Sequence, residues 1–195
     1  MTWTHLRASL AAAALAAAAC QRAPAVPPAA AGFGIDAARG DDAPPFELPA
    51  QDGRRVSLAG FHGQVLFVNF WATWCPPCRE EMPSMMALGR DLEARYPGKF
   101  RMLAVSVDDG WDPIRSFFAA EPYRGATAPL TVLLDRADQA TAVAYYCAAR
   151  GGCPGEYKFP ESYIVDRSGR LVAYVVGPRD WSDPRARAYL EQLLR

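Results

Sequence analysis

The chain has 195 residues; once an N-terminal leader and spacer are set aside, about 150 remain, the size of one globular domain. Its 21 basic and 21 acidic residues cancel, with no basic run, so nothing supplies the electrostatic footprint of a nucleic-acid binder. The 51% apolar content is inflated by N-terminal alanine, which leaves the remainder with the composition of a water-soluble domain rather than a membrane bundle.

Residues 1–20 read as an export signal. Arg7 supplies the positive start, and residues 8–19 form an apolar run too short to span a bilayer. The run closes in Leu15-Ala16-Ala17-Ala18-Ala19-Cys20, which resembles a bacterial lipobox. That resemblance implies a lipid on Cys20 and a protein anchored to a membrane on the periplasmic side of the cell envelope. Ordinary cleavage at an Ala-x-Ala site is the other outcome and gives a soluble periplasmic protein. Of five cysteines, assigning Cys20 to lipid leaves Cys75 with Cys78 and Cys147 with Cys153, and an exported compartment lets disulfides persist.

Residues 21–43 are rich in Ala, Pro and Gly with few large apolar side chains, so the segment reads as a semi-stiff linker before a domain spanning residues 44–195. Residues 46–48 and 56–58 alternate around Gln51-Asp52-Gly53, the pattern of a short hairpin. Residues 65–70 are almost continuously apolar, as in a central strand buried on both faces. From Pro76 to Arg95 apolar residues recur at three or four, and Tyr96-Pro97-Gly98 stops the helix. Next come a strand over 102–107, a helix over 113–120, a strand over 130–134 and a short helix over 137–146. Residues 163–165 and 171–175 flank the turn Asp166-Arg167-Ser168-Gly169 as an antiparallel hairpin. A last helix is capped by Ser182 or Asp183, with Pro184 in its first turn.

In Trp74-Cys75-Pro76-Pro77-Cys78 the first cysteine falls where a strand ends and a helix begins. Free amides and the helix dipole there favour its thiolate, the attacking form. Two intervening residues let the thiols close into a disulfide, and Pro76 is tolerated because the first helical turn needs no donor at that place. Cys75 therefore attacks and Cys78 resolves. Zinc is disfavoured, because the second cysteine pair has a different spacing and His62 is the only histidine after the leader; neither metal nor cofactor is expected.

The run Phe70-Trp71-Ala72-Thr73-Trp74-Cys75-Pro76-Pro77-Cys78-Arg79-Glu80-Glu81-Met82-Pro83, with Phe159-Pro160-Glu161-Ser162-Tyr163-Ile164-Val165-Asp166, closely resembles the TlpA-like branch of membrane-anchored bacterial thioredoxin relatives. The resemblance runs from about Pro44 to the C-terminus. It implies an α/β thioredoxin-like fold, with a central mixed β-sheet flanked by helices and an N-terminal β-hairpin extension. It also implies a cis-proline at Pro160 facing the redox pair, and substrate contact through Trp74, Pro76, Phe159 and Pro160. Glu81 lies one helical turn after Cys78 and on its side, whereas Glu80 is rotated by roughly 200°. By the resemblance Glu81 tunes proton transfer to the buried thiol.

Reduction of protein disulfides follows as the expected activity. By the resemblance the substrates include apocytochrome c, and a membrane electron carrier is the donor. Two rivals are open at this point. A thiol peroxidase shares the fold but uses Thr-x-x-Cys, and Thr73 is one residue too close. A copper chaperone needs a wider cysteine spacing and a nearby histidine. Cys147 and Cys153 bracket an apparent insertion ahead of Phe159. So small a ring reads as a structural staple, with about 2 to 2.5 kcal/mol in the chain-entropy account; redox exchange with Cys75 is the sharper alternative.

Overall fold

The computed structural model describes residues 25–120, 122–124, 130–136 and 138–195. The export signal and Cys20 lie outside them. In chain order the elements are α1 (Pro28–Phe33), β1 (Asp36–Ala37), β2 (Glu47–Pro49), β3 (Arg55–Ser57), a 3-10 turn (Leu58–Phe61), β4 (Val65–Trp71) and α2 (Pro76–Arg95). There follow β5 (Phe100–Ser106), α3 (Trp111–Ala119), β6 (Leu130–Leu134), α4 (Ala140–Arg150), β7 (Glu161–Val165), β8 (Leu171–Val176) and α5 (Pro184–Leu194).

Strand β4 is buried at every position, as its almost continuously apolar run requires of a strand covered on both faces. It pairs in parallel with β5, which pairs in parallel with β6, and antiparallel with β7. The resulting six-stranded mixed sheet has the order β1-β8-β7-β4-β5-β6. Alternation along β4 divides the core. Phe67, Asn69 and Trp71 meet Trp181, Glu81 and the Phe117–Phe118 pair, while Phe70 meets Tyr145 of α4 on the opposite face. The β2–β3 hairpin joins the sheet edge through a bridge from Ala50 to Leu133. No helix among the described residues is long and apolar enough to cross a membrane.

Two expectations are corrected. The linker assigned to residues 21–43 is structured from Pro28 onward: α1 packs on α5, β1 pairs with β8, and Ala30, Phe33, Ile35 and Ala43 are buried. Two large side chains in a small-residue segment were enough to dock it. The helix expected over 137–146 instead spans Ala140–Arg150 and ends at Gly151, whose left-handed φ of 71° suits a glycine stop. Cys147 therefore lies on a helix rather than beyond it, and residue 137 is outside the described residues.

Pro83 sits inside α2 and cannot donate to the Arg79 carbonyl one turn back. The Tyr123 hydroxyl donates to that carbonyl instead, at 3.1 Å, so the helix continues with its freed acceptor satisfied.

Candidate active site

The site forms where β4 ends. Trp71 O accepts from Val107 N and Ala72 O from Cys75 N, at 2.9 and 3.2 Å. Asp108, buried behind the turn, accepts from the Thr73 amide (3.1 Å), the Thr73 hydroxyl (2.7 Å) and the Ser106 hydroxyl (2.6 Å). These bonds fix the turn that presents Trp74 and Cys75.

Cys75 is the N-cap of α2, followed by Pro76 and Pro77, and its sulfur accepts from the Cys78 amide at 3.3 Å. Cys75 and Cys78 form a disulfide with an S–S distance of 2.02 Å. Exposure differs sharply along the motif: Trp74 is 61% exposed, Cys75 5% and Cys78 0%. A sulfur at a helix start, beside an amide donor, is placed for stabilisation as a thiolate on reduction.

Opposite the turn, the Phe159–Pro160 peptide bond is cis. Glu161 opens β7 in register with Phe70, so Pro160 reaches the level of Trp71, at the mouth of the turn. Phe159 lies edge-on to Trp74, ring centroids 5.9 Å apart. Glu161 is anchored by Arg150 at 3.0 Å and by the Tyr163 hydroxyl, and Arg150 stacks over Tyr146 and Tyr174. This paired, buried charge holds the start of β7, and with it Pro160.

Glu81 is 3% exposed, on the same face of α2 as Cys78, whereas Glu80 is exposed. Asn69 Nδ2 donates to its Oε1 at 2.8 Å and to Ser162 Oγ at 3.0 Å. The Arg179 amide and Trp181 Nε1 each donate to Oε2 at 3.1 Å. Burial pushes the Glu81 carboxyl up to about 7, and the Trp181, Arg179 and Asn69 donors restrain the rise. A cleft of about 370 Å³ is lined by Glu81 together with Glu80, Ser84, Arg179 and Asp180. A group poised near neutrality and lining such a cleft can take up and release a proton under physiological conditions.

Trp181 also packs on Phe67 and Phe33, at 4.6 and 5.4 Å, so the N-terminal segment buttresses the same network. Trp181→Phe is expected to retain this packing but lose one donor to the ionised carboxylate, raising the Glu81 pKa by about one unit. Carboxyl-labelled NMR titration reads it directly; an unmoved midpoint would show that the indole does not tune the group.

Sequence spacing pointed to Cys75, Cys78 and Glu81, and the family resemblance to Pro160; the fold brings the four to one end of β4. Spacing missed Asn69, Asp108, Arg150, Glu161 and Trp181, whose bonds across the site follow no helical or strand spacing. Cys147 and Cys153 form a second disulfide, with an S–S distance of 2.04 Å, at the end of α4. Among the described residues, no three His, Cys, Asp or Glu side chains gather where a metal ion could sit.

A Cys-x-x-Cys disulfide at a helix start behind a central strand, with a cis-proline across from it, defines a thioredoxin-like redox site. The chain matches the AhpC/TSA family over residues 39–174 and belongs to it. It is 32% identical over 144 residues to the thioredoxin-like protein YneN of Bacillus subtilis, covering 71% of each chain. Identity is 33% over 139 residues with the thiol-disulfide oxidoreductase ResA of Geobacillus thermodenitrificans, covering 71% of this chain and 69% of that one. Among solved structures, a thiol:disulfide interchange protein of the thioredoxin family from Chlorobium tepidum superposes with a TM-score of 0.63. Identity there is 27%, over 81% of this chain and 99% of that one. The chain is a thiol-disulfide oxidoreductase.

Proposed function

We propose that the chain reduces protein disulfides in the cell envelope, held at a membrane by lipid on Cys20 and recharged by a membrane electron donor. The observation that carries the reading is Cys75 at a helix start, bonded to Cys78 and next to the exposed Trp74, with Cys78 fully buried one turn before a carboxyl pushed up to about 7.

In the reduced state the Cys75 thiolate attacks one sulfur of a substrate disulfide, and the other sulfur leaves as a thiolate. The Cys78 thiol passes its proton to the Glu81 carboxylate and attacks Cys75 Sγ. The Cys75–Cys78 disulfide forms and the substrate's second sulfur departs, so two electrons have moved to the substrate. Trp74, Pro76, Phe159 and Pro160 line the approach to Cys75 and contact the substrate segment. The sequence resemblance favours apocytochrome c among the substrates.

Equilibration with a glutathione redox series tests the direction: a reductant has a midpoint below about −220 mV, whereas one near about −120 mV, as in strong oxidants, would contradict the reading. For the anchor, the intact protein is expected to fractionate with membranes and Cys20→Ala to be soluble or uncleaved. A wholly soluble wild type with another mature N-terminus would rule the lipid out.

A further inference from the structure

Cys147 lies in the last turn of α4 and Cys153 is exposed in the loop beyond it. Gly151, Gly152 and Gly155 all take positive φ, at 71°, 156° and 72°, and supply no side chains to hold the loop. Without a cross-link such a segment samples many backbone states. The Cys147–Cys153 bond, a Gly152 amide donating to Cys147 O at 2.9 Å and a Tyr146 hydroxyl donating to Pro154 O fix it.

From this fixed loop a run of edge-to-face rings leads to the redox pair. Tyr146 meets Tyr157 at 5.4 Å, Tyr157 meets Phe159 at 4.8 Å, and Phe159 meets Trp74 at 5.9 Å. The two ends of the run are the residues immediately before Cys147 and before Cys75. Tyr157 and Phe159 are half-buried and Trp74 is exposed, while the flanking Glu156 and Lys158 are exposed and cancel in charge. The surface that runs from Tyr157 to Trp74 is therefore aromatic, its two flanking charges are opposite in sign, and it ends at the residue before Cys75.

Resting on the redox reading above, we infer that the stapled loop is a specificity element. Tyr157 positions Phe159 and Trp74 as an apolar wall that selects polypeptide disulfides carrying a large apolar side chain next to the reacting cysteine. The loop disulfide itself exchanges no electrons; the two-electron step belongs to Cys75 and Cys78. Tyr157 touches no reacting atom and is a positioning residue. Its hydroxyl is buried without a partner among the described residues, so the ring carries the role and Tyr157→Phe preserves it.

The test offers the reduced full-length protein three substrates: two disulfide-linked peptides differing only in Leu or Asp beside the cysteine, and oxidised glutathione. Wild type and Tyr157→Phe are expected to favour the leucine peptide by about tenfold in kcat/KM, the scale of one buried apolar side chain. Tyr157→Ala, and the double variant Cys147→Ser with Cys153→Ser, lose most of that preference through a higher KM, with glutathione reduction unchanged. Equal kcat/KM for the two peptides in wild type, or a preference intact in both variants, overturns the inference. So does a parallel loss of peptide and glutathione rates in Tyr157→Ala, which marks a merely structural role. A wild type that reduces none of the three overturns the redox reading itself, and the glutathione arm tells that failure apart.

Discussion

Cys75→Ser is expected to abolish disulfide reduction, whereas Cys78→Ser accumulates a stable mixed disulfide between Cys75 and the substrate. The difference follows from position. Cys75 is the N-cap of α2, directly after the exposed Trp74, whereas Cys78 is fully buried within the helix's first turn. Attack thus falls to the outer sulfur and resolution to the inner one. Both variants should fold, since serine nearly matches cysteine in size and each substitution changes one member of a large buried core. Non-reducing mass analysis after addition of a disulfide-linked peptide checks the assignment, and a Cys78→Ser variant that is inactive with no trapped adduct would contradict it.

Glu81→Gln is expected to slow resolution at pH 7 by at least about tenfold, at the lower edge of what positioned acids and bases contribute. Glu80→Gln should leave the rate nearly unchanged, because Glu80 is exposed on the outer side of α2. In wild type the resolving rate rises with pH through about 7, as Glu81 ionises and becomes able to accept the Cys78 proton. In Glu81→Gln that inflection vanishes, leaving the thiol's own ionisation at higher pH. The same carboxyl sets a stability trend. Its folded pKa of about 7 exceeds its ordinary 4.5, so between those values the folded state binds more protons. Stability is full below about 4.5 and falls as pH rises through about 7, on the order of 3 kcal/mol. Glu81→Gln should flatten that slope. Superimposable pH–rate profiles for the Glu80 and Glu81 variants would return Glu81 to a structural role.

Elements with a strong local signal were legible in the sequence. Pro76–Arg95 and Leu130–Leu134 have the same bounds in sequence and structure, because proline at a helix start and a short run of apolar and β-branched residues are local patterns. The N-terminal segment was not, since averaging over residues 21–43 hides Phe33 and Ile35, and their burial depends on α5 and β8, which lie at the far end of the chain. The site divides in the same way. Glu81 follows from its helical spacing to Cys78, but its donors Asn69 and Trp181 stand 12 and 100 residues away, and no spacing rule announces them. Asp108 and the Arg150–Glu161 pair are likewise set by sheet register rather than by local pattern. Gly151 was a readable stop for α4, and giving it that role would have placed Cys147 on the helix.

Whether Cys75 and Cys78 carry the electrons is decided by a single turnover. Protein reduced at Cys75 and Cys78 is mixed without any recycling reductant with a disulfide-linked polypeptide in excess, quenched by alkylation and mapped by mass spectrometry. Substrate disulfides are expected to be lost one for one with the appearance of the Cys75–Cys78 disulfide, while Cys147–Cys153 stays bonded throughout. Substrate reduction matched instead by a change at Cys147 and Cys153, or no reduction while Cys75 and Cys78 remain free thiols, would contradict that exchange.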